Sequence, residues 1–63
     1  MDEAALQHIL EEVEAARNDP SSSSIEYYAG KLHTLAEAHY LPAIPFLILG
    51  LSDPVVLKNF VQP

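Results

Sequence analysis

From Leu41 to Leu51 the chain reads LPAIPFLILGL, eleven residues without a charge or a hydrogen-bonding side chain. Water penalises such a run unless something covers it. A membrane-spanning helix needs roughly 20 apolar residues, and this run is shorter and is interrupted by Pro42, Pro45 and Gly50. It therefore reads as a covered segment of a soluble protein. Either proline suits the first turn of a helix, where its missing amide donor costs nothing, so a short helix over roughly 43–50 is expected. A strand from Ile44 to Ile48 is the competing reading, but nothing else in the chain offers a partner strand. As a helix, Ile44, Phe46, Leu47, Ile48, Leu49 and Leu51 leave almost no polar face. Such a helix is either wrapped on all sides as the centre of a core or exposes a patch that a partner covers.

The flanking segments supply helices to pack against it. Leu6, Ile9, Leu10 and Val13 recur at i, i+3, i+4 and i+7, one stripe of an amphipathic helix. Gln7, His8, Glu11, Glu12 and Glu14 take the other faces, and Glu12→Ala is expected to be silent. Asp2 is the expected N-cap, with Glu3 and Arg17 matched to the two ends of the helix dipole. Asn18 in a left-handed C′ position and Pro20 after it would stop the helix near Arg17. Asp19 to Ser24 is short enough for a turn within one domain. Ser23 followed by Glu26 has capping-box spacing. A second helix from about Ser24 to His39 carries the heptad-like seam Ile25, Tyr28, Leu32, Leu35 and His39, widened by Ala29 and Ala36. Gly30 either permits a close helix crossing or is merely tolerated. Ser52-Asp53-Pro54 then opens a last short helix, with Val55, Val56, Leu57, Phe60 and Val61 as its apolar residues.

Length and charge exclude several classes of function. A 63-residue chain is one small domain, and at this size only about 60% of the unfolded surface is buried. Three Lys/Arg against nine Asp/Glu give a net charge of −6, the wrong sign for phosphate backbones or anionic membranes. No cysteine is present, so neither a disulfide framework nor a thiolate metal site is available. Met-Asp-Glu-Ala-Ala is acidic where a signal peptide starts basic, which makes an intracellular location, cytoplasmic or nuclear, the expectation. The end at Gln62-Pro63 suggests the N-terminal module of a longer protein.

Candidate chemistry is sparse. His8 with Glu11 or Glu12, and His33 with Glu37, have helical pair spacing, but a metal site needs three or four convergent ligands. Solvated helix faces account for both pairs, and no metal or cofactor is expected. Ser21 to Ser24 lack a nucleophile-elbow motif, and Gly30 and Gly50 cannot make a phosphate loop. An enzyme is not expected. His39 is read as a boundary histidine near a helix end, with a pH-sensitive contact as the functional alternative. Tyr27 and Tyr28 point about 100° apart on a helix. Tyr28 joins the seam, whereas Tyr27 is half-exposed or an interface anchor.

The acids cluster at one end of the sequence and the apolar residues at the other. Residues 1–19 hold six acids and one base, whereas residues 41–63 hold one of each among thirteen apolar side chains. The fold expected is all-α, a single domain over residues 1–63 built as a bundle of about four helices, two longer and two short, that dimerisation would complete. Its core should contain Leu6, Ile9, Leu10, Val13, Tyr28, Leu32, Leu35, Phe46, Leu47, Leu57 and Phe60. Phe60 is expected to make the largest apolar contact of the last helix. The function expected is a non-catalytic assembly module, a homo-oligomer joined through its apolar C-terminal half. Its interface candidates are Tyr27, Ile44, Phe46, Leu47, Leu49, Leu51, Val56 and Phe60. The alternative is an adaptor whose groove binds an amphipathic, basic-flanked helix of a regulatory protein. In that vein, Ala5-Leu6, Asp19-Pro20, Tyr28 with Leu32, and Pro54 to Phe60 loosely resemble the paired amphipathic helix domains of transcriptional corepressors. The loop between the second and third helices is much shorter than in that family, and the first helix needs an insertion to align. Membership is not assigned.

Overall fold

Capping residues set the helix boundaries almost throughout. The computed structural model describes residues 2–19 and 24–61. Within them α1 spans Glu3–Asn18, α2 Ile25–Glu37, α3 Ile44–Leu51 and α4 Pro54–Val61, with a 3-10 turn at Leu41–Ala43 before α3. No strand occurs among the described residues, and the fold is the expected all-α bundle. Asp2 caps α1 by accepting the Ala5 amide at 2.8 Å, with Glu3 in the first turn and Arg17 in the last. At the far end the Asp19 amide donates to Ala15 O. Asn18 is the last helical residue and does not turn left-handed, because the regular ladder continues one residue further than expected. Pro20 lies outside the described residues.

Ser24 caps α2, its hydroxyl accepting the Tyr27 amide at 3.0 Å. The expected Ser23–Glu26 capping box falls partly outside the described residues. With the cap at Ser24, Glu26 stands one position too early to reach back. The other end of α2 departs from expectation more sharply. The helix stops at Glu37, and His39 adopts φ 54°, the one left-handed non-glycine among the described residues. The His39 amide donates to Ala36 O at 3.0 Å and the Tyr40 amide to Leu35 O at 3.1 Å. This pair of bonds is a Schellman motif, and it satisfies carbonyls that would otherwise be orphaned. His39 therefore does not continue the α2 seam. It is exposed and reverses the chain toward Pro42.

Pro42 sits in the 3-10 turn and Pro45 in the first turn of α3, where neither is needed as a donor. Asp53 opens α4 by accepting the Val55 amide at 2.9 Å, with Pro54 as the first helical residue.

The centre of the bundle is α2, which packs against each of the other three helices. Val13, Ala29, Leu32, Leu35 and Ala43 are fully buried, joined by Leu6, Ala16 and Val56. Ile9, Leu10, Tyr28, Tyr40, Phe46, Leu47, Leu51 and Phe60 pack half-buried around them. The apolar α3 is thus not the wrapped central helix. It lies against α2 and α4 and turns Ile44, Ile48 and Leu49 outward. Leu57, expected in the core, is exposed, and its neighbour Val56 is buried in its place. One step along a helix rotates a side chain by about 100°, which is enough to exchange the two. The close crossing is at Gly50, where a Cβ would lie 2.6 Å from Leu32 Cδ1, whereas Gly30 faces open space. None of the described helices is long and apolar enough to cross a membrane.

Candidate interaction surface

Nine large apolar side chains are exposed among the described residues, and seven of them lie between positions 41 and 61: Leu41, Ile44, Ile48, Leu49, Val55, Leu57 and Val61. The prolines account for the three that lie on α3. They start a helix inside an uncharged run, so its outer face has no polar residue to present. Ile44 and Ile48 stand one turn apart on that face, and Leu41 precedes them in the 3-10 turn.

Two grooves border α3. One, of about 340 Å³, runs between the end of α2 and the start of α3 and is lined by Leu35, Ala36, His39, Tyr40, Leu41, Ile44 and Leu47. The Schellman turn positions it, since that turn swings Tyr40 back over Leu35. The other, of about 310 Å³, lies between the end of α1, the start of α2 and the α3–α4 corner. Ile25 and Leu49 form its apolar walls, and Arg17, Ser24, Asp53 and Tyr28 supply its polar groups. Burial pushes the Tyr28 hydroxyl above its ordinary pKa, and the nearby Arg17 charge opposes that shift.

The eight expected interface residues divide between these surroundings. Ile44 and Leu49 are exposed, while Phe46, Leu47, Leu51 and Phe60 are half-buried against the core. Val56 is buried on the inner face of α4 and contributes only to the floor of the groove at the α3–α4 corner. Tyr27 is exposed, but its hydroxyl donates to Glu12 Oε2 at 2.7 Å, tying α2 to α1. Lys31 Nζ lies 3.5 Å from Glu12 and 5.2 Å from the centre of the Tyr27 ring. Glu12 is therefore half-buried between two helices and is not the solvated residue its position suggested. The Tyr27 hydrogen bond, helped by Lys31, holds its carboxyl below the usual range and raises Tyr27 in return. Sequence reasoning missed Leu41, Ile48, Val55, Leu57 and Val61 as individual surface residues. Heptad spacing could have singled out Leu41, Ile44 and Ile48.

His8 lies 4.0 Å from both Glu11 and Glu12, and His33 Nδ1 lies 3.1 Å from Glu37. His33 also meets the Phe60 ring edge-on, with 5.3 Å between centroids, which pins α4 to α2. No group of three His, Asp or Glu able to hold a metal ion occurs among the described residues. Comparison with known protein families, with curated proteins and with solved structures finds no match for this chain.

Proposed function

We propose that this protein is a non-catalytic interaction module that self-associates through its apolar C-terminal half. The observation that carries this reading is the crowding of seven of the nine exposed large hydrophobic residues into positions 41–61. Contiguous apolar surface on a soluble protein usually marks a partner site, and a symmetric dimer is the commonest way to cover it. Residues 41–61 carry only Asp53 and Lys58 as charges, so two copies of a chain with net charge −6 meet there with least repulsion. Sedimentation equilibrium at tens to hundreds of micromolar tests the reading. A dimer is expected, and a monomer throughout that range would remove it.

A second reading rests on the groove at the α3–α4 corner. Its apolar walls, Ile25 and Leu49, stand beside both Asp53 and Arg17, so an amphipathic helix seated there would set a basic residue against Asp53 and keep it clear of Arg17. Such a groove predicts a rise in Tm when a peptide of that design is added. No change at saturating peptide would leave self-association alone.

A further inference from the structure

The exposed hydrophobic residues of the C-terminal half do not form one kind of surface. On α4, Leu57 and Val61 are accompanied by Lys58, so a twofold contact there would bring two cations together. On α3 and its preceding turn, no charged residue stands between Leu41 and Ser52. Leu41 is 71% exposed and Ile48 64%, which makes both strongly protruding. Beside them runs the groove of about 340 Å³ whose lining, Leu35 and Leu47 included, carries no acid and no Lys or Arg. A basic-flanked partner would find nothing there to pair with. A second uncharged apolar surface would fit it, and another copy of this chain offers one.

Resting on the self-association reading, we infer that two copies meet through this one face, with Leu41 of each copy seated in the other's groove between α2 and α3. A twofold contact requires that a patch complement itself. Here the protruding side chains and the groove that receives them lie next to each other on the same face. Leu41 and Ile44 border the groove and Ile48 continues the ridge one turn beyond. His39 and Tyr40 form the rim, placed there by the left-handed turn that ends α2.

The test is sedimentation equilibrium of the full chain as wild type, Leu41→Asp, Ile48→Asp and Val55→Asp, each checked by circular dichroism for unchanged helix content. All three positions are exposed in the monomer, so folding should survive the substitutions. Leu41→Asp and Ile48→Asp are each expected to weaken the dimer at least about tenfold, and Val55→Asp to leave it within about twofold. A dimer that tolerates both α3-side substitutions, or that loses as much from Val55→Asp, overturns this face while leaving self-association standing. A wild-type monomer overturns self-association and this face together.

Discussion

At the residue scale, the two glycines of the chain make opposite demands. Gly30 lies in α2 with open space where a Cβ would go, so it contributes only the backbone freedom it loses on folding. Gly30→Ala should stabilise the domain by about 0.5–1 kcal/mol. Gly50 lets α3 approach α2, and an added Cβ would meet Leu32 Cδ1 at 2.6 Å and the Tyr28 hydroxyl at 3.2 Å. Leu32 is fully buried, so its side chain would have to shift within the core, and Gly50→Ala should cost about 1–3 kcal/mol by overpacking. Urea denaturation of both variants checks the pair, and equal effects would show that the α2–α3 crossing is looser than described. The Tyr27–Glu12 bond makes a second residue-scale prediction, in pH. Glu12 is held below its ordinary value of 4.5, so its contribution is present above that pH and is lost as pH falls through the lowered value. Tyr27 is held above 10.0, so its neutral hydroxyl contributes below that pH and stops contributing as pH rises through the raised value. The Tm gap between wild type and Tyr27→Phe should therefore be widest between these limits and shrink toward both. A gap that does not vary with pH would assign the effect to packing of the ring.

At the scale of elements, the end of α2 offers the clearest energetic handle. His39 occupies the left-handed position of a Schellman motif, where a Cβ is unfavourable and glycine is the usual residue. His39→Gly should raise stability by about 0.5–1 kcal/mol, less than the full left-handed penalty because glycine also loosens the unfolded chain. A melting temperature that falls instead would mean that the imidazole contributes a contact of its own. Why this turn was not legible in the sequence follows from the same residue. The usual glycine signal is missing, and His39 happens to extend the three-four spacing of the α2 seam. The helix starts were legible, because Asp2, the serine run and Asp53-Pro54 are local hydrogen-bonding signals that act over two or three residues. The facing of the short α4 was not. Over eight residues, Val55, Val56 and Leu57 are equally apolar, and only tertiary contact decides that Val56 faces the core. Val56→Ala should accordingly cost more than Leu57→Ala, although it removes the smaller side chain, since burial sets the loss. The site was legible as a stretch of sequence and not as a surface. Composition locates the apolar excess in residues 41–63, but which of those side chains protrude depends on α2 taking the central position.

At the scale of the whole molecule, size limits what the fold can hold. The radius of gyration is 10.6 Å, matching the roughly 11 Å expected for a folded globule of this length. Among the described residues five side chains larger than alanine are buried in the core: Leu6, Val13, Leu32, Leu35 and Val56. Chains of this size sit near the lower limit at which a single core suffices, and covering the α3 face would add apolar burial that the monomer lacks. On the proposed self-association, stability should depend on concentration, because association stabilises the folded state by mass action. The Tm is expected to rise as the protein is taken from about 10 to about 500 micromolar, a gain that Leu41→Asp should abolish. Salt should strengthen the effect. The chain carries a net charge of −6, and two such copies repel at distances that 0.01 M salt leaves unscreened and 0.15 M salt screens within about 8 Å. A dimer joined through the proposed uncharged face would gain nothing from low salt, so added salt should favour it. A dimer that instead dissociates as salt rises would be held by ion pairs, and its interface would have to be sought on the acidic α1.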